Sequence, residues 1–191
     1  MIRLEYFTQQ DFQQLIDWVD NEELLLNWAG TQFKIPLTVE KLEWYIRDAN
    51  DFENSDTLVY KAVDTETGQS VGHISLSVIN RPNRSARLTR VLVGNSAERG
   101  KGIGEQMTKE MLKIGFEDLG LHRMSLGVYS FNESAIRCYE KCGFKVDGVL
   151  RDIKKHQDTY WSLMEMSILE DEWRELNSKS LTDYMQAAVG K

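Results

Sequence analysis

Apolar residues are spaced in three different ways along this chain, and the spacing predicts the order of its helices and strands. A short strand is expected at 2–7, followed by a helical region from Asp11 to Val19 with apolar residues every three or four positions. The segment from Leu24 to Phe33 is apolar without a clear period and is expected to be irregular. A helix is expected from Thr38, a residue type that caps helices, to Ala49.

The second half of the chain changes to the alternation of β-strands and then to strands interleaved with helices. Turn residues separate the expected strands at 58–63, 71–79 and 88–93. After them we expect an amphipathic helix at 102–119 and a strand at 122–128. A capped helix at 132–141 and two strands, at 144–150 and 159–169, are expected to follow. The pattern predicts one α/β (α+β) domain over 1–173, with a mixed, mostly antiparallel sheet of about seven strands flanked by helices. A polar tail or helix is expected at 174–191.

Composition narrows the classes of partner. The chain has 191 residues, of which 41% are hydrophobic, and its net charge is −7. This acidic balance argues against nucleic-acid and anionic-membrane partners and leaves room for cationic substrates. No signal peptide or apolar run of membrane-spanning length is seen, and the two cysteines, Cys138 and Cys142, suit a reducing compartment, so a cytoplasmic protein is expected.

The most informative stretch is the glycine-rich turn between the strand ending at Val93 and the helix that begins near Gly102. Glycines let a ligand approach the backbone, and the N–H groups of the first helical turn have no partner within the helix. Together with the helix dipole they form a site suited to phosphate, to which Arg99 and Lys101 add positive charge.

Three phosphate-binding patterns compete for this turn. A P-loop fails because five residues, not four, separate Gly94 from Gly100, and no Ser or Thr follows the lysine. A dinucleotide fingerprint fails because the later glycines are evenly spaced. The third pattern, Arg99-x-x-Gly102-x-Gly104, resembles the pyrophosphate loop of the GNAT superfamily of N-acetyltransferases. The alternative is a glycine-rich connector without a ligand.

A second motif supports the resemblance. The segment Asn132-x-x-Ala135-x-x-x-Tyr139-x-x-x-Gly143-Phe144 is similar to the downstream motif of the same superfamily, and it follows one strand after the long helix. The resemblance extends from the first strand to Trp173. An early Trp-rich segment and the closing Met-x-x-x-x-x-Glu-Trp resemble the branch that includes ribosomal-protein N-terminal (Rim-type) acetyltransferases.

The resemblance implies that acetyl-CoA is the co-substrate and lies between two splayed central parallel strands, 88–93 and 122–128. No metal is implied. The residues implied to bind the cofactor through the strand end, the glycine-rich turn and the capped helix are Val91, Leu92, Val93, Arg99, Gly100, Lys101, Gly102, Ile103, Gly104, Asn132 and Ser134.

The chemistry implied is direct attack of a primary amine on the thioester, with Tyr139 as the general acid. A backbone N–H near Val91 is the expected oxyanion donor. Spacing alone also fits Tyr139 as a buried aromatic residue. The general base is open, because the strand before the glycine-rich turn has no acid; Glu22, Glu23, His73 and Glu165 are weak candidates, and His73 is expected on a sheet surface.

The remaining expectations concern the acceptor and the partners. Trp28 and Phe33 are the candidates for lining the acceptor pocket, and the acceptor is a small molecule or a protein N-terminus. The two cysteines are expected to be buried thiols and not metal ligands. The arginines at 81, 84, 87 and 90 are expected along an exposed strand edge. The oligomeric state is not determined by the sequence, and a homodimer is one of the alternatives. The alternative function is a non-catalytic CoA-binding sensor or interaction module on the same fold.

Overall fold

Helices cover both faces of a seven-stranded sheet in the computed structural model, which describes residues 1–178. The strands are β1 (Ile2–Tyr6), β2 (Leu58–Asp64), β3 (Ser70–Asn80), β4 (Ser85–Val93), β5 (Arg123–Tyr129), β6 (Lys145–His156) and β7 (Thr159–Leu169). The helices are α1 (Phe12–Trp18), α2 (Glu22–Ala29), α3 (Val39–Ile46), α4 (Ile103–Lys113), α5 (Glu133–Lys141) and α6 (170–178), with a π-helical turn, Ile114–Asp118, after α4. The predicted tail beyond 178 lies outside the described residues.

The sheet has the order β1-β2-β3-β4-β5-β7-β6, which confirms the predicted mixed, mostly antiparallel architecture. Among the strands of residues 1–178, β4 and β5 are the one parallel pair. Their register covers three pairs, Ser85 with Arg123, Ala86 with Met124 and Arg87 with Ser125, although β4 continues to Val93. The two strands therefore part in the middle of the sheet, and beyond Arg87 the edge of β4 that faces β5 pairs with no strand of the described residues.

A β-bulge accompanies the separation of the two strands. The register between β3 and β4 shifts between His73 and Ser75, so that an extra residue of β4 is accommodated opposite them. Arg90, within this stretch, has a φ of 52°, a left-handed conformation that is uncommon for a residue with a side chain. A bulge bends the strand that carries it and increases its twist. We attribute the divergence of β4 from β5 to this bend.

Two apolar clusters, one on each face of the sheet, form the core. The first joins the sheet to α4 and α5 and includes Met107, Met111 and Phe116. The second lies under α1, α2 and α3 and includes Leu15, Leu25, Trp28, Phe33 and Leu42. Because both faces are covered, the side chains that alternate along the central strands are buried on either side.

The segment from Leu24 to Phe33 differs from its prediction, because most of it is helical. Asn21 caps α2 by accepting a hydrogen bond from the N–H of Leu24, and the helix ends at Gly30, where φ is 60°. The three consecutive leucines hide the helical period, since adjacent residues point to different sides of a helix. The structure places Trp28 on this helix, where it packs against β4.

His73 also differs from its prediction, since it is fully buried instead of lying on a sheet surface. The helices α1, α2 and α3 cover the face of β3 to which it points. Its Nε2 lies 3.2 Å from the Tyr45 hydroxyl, and its Nδ1 has no partner among residues 1–178. Burial, reinforced by the charge of Arg90, lowers the pKa of His73 to about 3, so the side chain is neutral at physiological pH.

This burial predicts a pH-dependent stability. Below pH 6.5 the unfolded chain protonates His73 while the folded chain does not, so the free energy of unfolding should fall as the pH falls from 6.5 towards 3. The contribution is about 1.4 kcal/mol per pH unit in that window. Urea denaturation at several pH values should show a shallower decline in His73→Gln than in the wild type, because the other titrating groups are common to both. Equal slopes would contradict the assignment.

Candidate active site

A cavity of about 490 Å³ lies beside the end of β4, and it brings residues of α2, of the glycine-rich turn and of α5 together. The end of β4 and the glycine-rich turn form one wall, and the first turns of α5 form the other. The sequence-predicted residues that line it are Val91, Leu92, Val93, Arg99, Gly100, Gly102, Ile103, Gly104, Asn132, Ser134 and Tyr139. Lys101 is the predicted cofactor residue that is not in this lining.

The glycine-rich turn leaves backbone exposed to the cavity. Gly100 and Gly102 both have a φ of 82°, and no atom would contact a Cβ placed on either of them. Gly102 precedes α4 without a side chain that caps the helix. At Gly104 a Cβ would lie 3.6 Å from Cys138 Sγ and 3.8 Å from Val93 Cγ2. The uncapped N–H groups and the open space in front of the glycines fit the pyrophosphate of a nucleotide cofactor.

The lining of the larger cavity contains three cationic side chains and two carboxylates, Glu98 and Glu105. Arg99 lines the cavity and forms no ion pair with residues 1–178. Arg137 and Lys141, on the face of α5 towards the cavity, line it as well and were not identified from the sequence. Lys101 instead pairs with Glu98 over 2.8 Å, which keeps its ammonium group on the exposed side of the turn.

Asn132 begins α5 and fixes where the following residues lie. Its Oδ1 accepts from the N–H of Ala135 at 3.2 Å and from Ser134 Oγ at 3.1 Å. The side-chain oxygen is therefore occupied by capping, as the sequence indicated. The Asn132 amide nitrogen is the group left for a ligand.

Tyr139 lies on α5, next to Cys138 and three residues before Cys142. The side chain is 9% exposed, and its ring packs edge-on against Phe144. Burial, with a smaller contribution from the two neighbouring thiols, raises the pKa of Tyr139 well above its usual value. The hydroxyl forms no hydrogen bond with residues 1–178. It is thus a protonated phenol with its donor unused.

A second cavity, of about 340 Å³, adjoins the first on the other side of Tyr139. Both cavities are lined by Asn27, Trp28, Val91, Asn132, Ala135 and Tyr139. The charged residues in the lining of the second cavity are Arg87 and Arg90, and no carboxylate of the described residues belongs to it. The larger and the smaller cavity therefore share a wall to which Tyr139 belongs.

The two arginines of the smaller cavity differ in their partners. Arg87 makes a bidentate ion pair with Glu165, with both N–O distances at 2.7 Å. Arg90 places its guanidinium 4.5 Å from the centre of the Tyr45 ring and donates a hydrogen bond to Gln32. The predicted exposed strand edge is wrong for this pair, because β4 lies in the centre of the sheet between β3 and β5.

The structure separates the other predicted residues. Trp28 lines both cavities, and its indole N–H donates to the carbonyl of Arg90 at 2.9 Å. Phe33 is only 5% exposed and packs in the second core cluster without lining either cavity. Of the weak candidates for the base, Glu165 is held by Arg87 and His73 is buried in the core.

Asn27 is a site residue that sequence reasoning missed. Its amide nitrogen donates to the carbonyl of Glu23, while its Oδ1 is buried and has no partner in the part of the chain described. A buried carbonyl oxygen without a donor is costly unless a ligand supplies one. The leucine-rich segment around Asn27 gave no signal, because its helix was itself not predicted.

Neither a metal site nor a membrane span is found in the described part of the chain. Residues 1–178 contain no group of three His, Cys, Asp or Glu side chains that could hold a metal ion. None of the helices within that range is long and apolar enough to cross a membrane. Cys142 is buried and Cys138 is half-buried beside the glycine-rich turn.

The chain is similar in sequence and in fold to several known acetyltransferases. Aminoglycoside N(6')-acetyltransferase type 1 of Klebsiella pneumoniae is 21% identical over 154 residues, which cover 78% of this chain and 76% of that protein. L-amino acid N-acetyltransferase AaaT of Escherichia coli (strain K12) is 31% identical over 81 residues, 42% of this chain and 50% of that protein. The structure of spermidine N-acetyltransferase from Vibrio cholerae in complex with CoA and spermine superposes with a TM-score of 0.77 at 22% identity, covering 90% of this chain and 97% of that one.

The family itself is identified by a match over most of the sequence. The profile of the acetyltransferase (GNAT) domain matches residues 2–145, which include β1 to α5 and thus both cavity walls. The named relatives are acetyltransferases, which favours catalysis over a CoA-binding sensor. The chain belongs to the GNAT family and is an acetyl-CoA-dependent N-acetyltransferase.

Proposed function

We propose that acetyl-CoA binds in the larger cavity, that the primary amine acceptor binds in the smaller one, and that Tyr139 serves both. The observation that carries this proposal is that Tyr139 lines both cavities while its hydroxyl has no hydrogen-bond partner among residues 1–178. An acyl transfer between two ligands needs a proton donor where they meet.

The residues that would hold the cofactor are those of β4 and the glycine-rich turn. The edge of β4 at 91–93 has no strand partner, so it can pair with an extended pantetheine arm as an added strand would. The N–H groups of Arg99 and Lys101 donate to the carbonyls of Ser96 and Glu98, so the N–H groups that remain for phosphate are those of Gly100 and 102–104. Arg99 adds a positive charge that has no ion-pair partner among residues 1–178. The Asn132 amide nitrogen and the Ser134 hydroxyl complete the proposed set. When bound, acetyl-CoA supplies the thioester that makes its acyl group transferable.

Each proton and charge in the transfer has a proposed partner in this chain. The Tyr139 phenol, protonated across the physiological range, holds the proton that a departing thiolate requires. A backbone N–H near Val91 is the proposed oxyanion donor. No carboxylate of the described residues lines the acceptor cavity, and the charge of Arg87 is neutralised by Glu165, but the positive charge of Arg90 lowers the pKa of an ammonium group beside it. The amine can therefore reach its neutral, nucleophilic form by losing a proton to water.

The proposal is tested by following thiol release from acetyl-CoA with a panel of primary amines, alongside calorimetry with CoA. We expect CoA binding in the absence of an acceptor and thiol release with at least one amine. A protein that bound CoA but released no thiol with any amine would contradict the proposed acceptor chemistry. A protein that did not bind CoA would contradict the assignment of the larger cavity.

Other properties of the protein are proposed on narrower grounds. The proposed catalytic domain is 1–173, followed by a polar tail or helix at 174–191, and the two free cysteines are consistent with a cytoplasmic protein. Membership of the ribosomal-protein branch rests on the Trp-rich segment and the closing motif alone, and the comparisons do not specifically support it. The proposed acceptor is a small-molecule amine or a protein N-terminus.

We further propose that the protein forms a homodimer. β6 is an edge strand of twelve residues, and it exposes Val146, Val149, Leu150 and Ile153, each by 46% or more. A long apolar edge strand is a template for pairing with another strand. A related spermidine N-acetyltransferase from Vibrio cholerae has a dodecameric structure, so assembly occurs among the structural relatives.

A further inference from the structure

We infer that the acceptor carries a carboxylate group beside its amine, as amino acids do, and that Arg90 binds this carboxylate. The inference rests on the proposed function, because it concerns the occupant of the smaller cavity. It is carried by an arginine that lines this cavity with no anionic partner in the described chain.

The surroundings of Arg90 hold its charge without neutralising it. Its guanidinium lies 4.5 Å from the centre of the Tyr45 ring and 5.8 Å from that of Phe33. Gln32 accepts one hydrogen bond from it, while the Nε atom is buried and has no partner among residues 1–178. Aromatic rings attract a cation but leave its hydrogen-bond donors unused. A buried N–H without an acceptor is unfavourable, and a ligand carboxylate would provide the acceptor.

The other ionisable groups near Arg90 do not supply an anion. Tyr45 is protonated because burial raises its pKa, and His73 is neutral because burial lowers its pKa. Asp48 and Asp56 line a neighbouring cavity that Arg90 also borders, yet neither forms an ion pair with it. Arg87 already has the carboxylate of Glu165. Arg90 is thus the charge in the acceptor cavity that remains available to a ligand.

The backbone at Arg90 indicates that its position is imposed by the structure. The residue adopts a φ of 52° within the bulge of β4, a conformation that costs free energy for a side chain of this kind. Its carbonyl is fixed by the indole of Trp28 at 2.9 Å, and Trp28 lines both cavities. The strained residue is therefore anchored to the wall that the acceptor and the cofactor would share.

The charge of the acceptor cavity, and not the net charge of the whole chain, decides which acceptor fits. The net charge of −7 leaves room for cationic substrates, but the acceptor cavity contains two arginines and no lining carboxylate from the described residues. A polyamine or an aminoglycoside would bring several positive charges next to Arg90. An amine with a carboxylate brings a negative charge to Arg90 and a single amine to the junction at Tyr139.

The experiment compares acceptors that differ only in the carboxylate. Thiol release from acetyl-CoA is measured with phenylalanine, methionine and leucine, with their C-terminal amides, and with spermidine and kanamycin. We expect kcat/KM to be at least tenfold higher for each acid than for its amide, with little release for the polycations. The amides have the more acidic ammonium group and hence more neutral amine at a given pH, so amine reactivity cannot produce this preference.

Variants of Arg90 locate the preference. Arg90→Gln should reduce kcat/KM for the acids by roughly 100-fold, mainly through KM, and for the amides by much less, because only the acids lose a charge-assisted hydrogen-bond pair; the CoA affinity should not change. Arg90→Lys should recover part of the loss. Arg3→Gln, which removes an exposed arginine paired with Glu5, is the matched control and should behave like the wild type.

The outcomes separate this inference from the proposed function. Equal rates for acids and amides, or a preference for spermidine or kanamycin, would overturn the role of Arg90 while leaving the acetyltransferase intact. The comparison of acids with amides uses the wild-type chain and therefore decides the question even if an Arg90 variant does not fold. CoA binding without thiol release from any amine would overturn the proposed function itself.

Discussion

Tyr139→Phe is expected to lower kcat by roughly 100-fold or more, with little change in CoA affinity or thermal stability. The substitution removes only the hydroxyl, which forms no hydrogen bond with the described chain, so the buried ring can keep its packing against Phe144. What is lost is the proton donor at the junction of the two cavities. Thiol release at saturating acceptor, calorimetry with CoA and a melting curve measure the three effects separately.

The control for this prediction is Tyr160→Phe, which removes the hydroxyl of an exposed tyrosine on β7 and should leave kcat unchanged. The pH profile provides a second readout. Because the pKa of Tyr139 is raised above its usual value, wild-type activity should not decline through its ionisation below about pH 10. A Tyr139→Phe variant with near-native turnover would show that the phenol is a core residue and that water supplies the proton.

Gly102→Val and Gly104→Val are each expected to weaken CoA binding by roughly 100-fold to 10,000-fold. A valine at either position occupies space that phosphate oxygens need in order to reach the backbone N–H groups, and each charge-assisted hydrogen bond lost costs about 1.5–3 kcal/mol. Gly104 has no positive φ, and its Cβ would be in ordinary contact with Cys138, so the fold should tolerate the change. Calorimetry with CoA and a melting curve on each variant distinguish binding from folding.

Backbone strain at Gly102 requires its own control. Its φ of 82° disfavours a β-branched residue, which should cost about 1–3 kcal/mol of stability. Gly68→Val places the same residue at a glycine with a φ of 71° and open space around it, in the turn between β2 and β3 and outside the lining of both cavities. We expect Gly68→Val to lose comparable stability and to keep CoA affinity. If Gly102→Val and Gly104→Val bound CoA as the wild type does, the assignment of the turn as the phosphate site would be wrong.

Several features of this protein were determined by the sequence alone, because they depend on local patterns. The alternation in 71–79 and 88–93 predicted β3 and β4, and the Asn132 cap predicted α5. The order of these elements and the resemblance to the GNAT family together predicted a mixed sheet with a separated parallel pair, which the structure confirms. The roles assigned to Tyr139 and to the cofactor residues remain predictions, although the structure brings those residues to one cavity.

What only the tertiary structure decided depends on which elements cover each other. Alternation shows that His73 and its apolar neighbours point to opposite faces, but not that helices bury both faces, so its burial could not be predicted. The leucine-rich helix α2 has too little period to be recognised without the sheet against which it packs. The same holds for the arginines of β4: a strand's place in the sheet is set by long-range pairing, and that pairing puts Arg87 and Arg90 beside a cavity. The sign of the charge in the acceptor cavity, opposite to that of the whole chain, follows from these distant contacts and is absent from any local pattern.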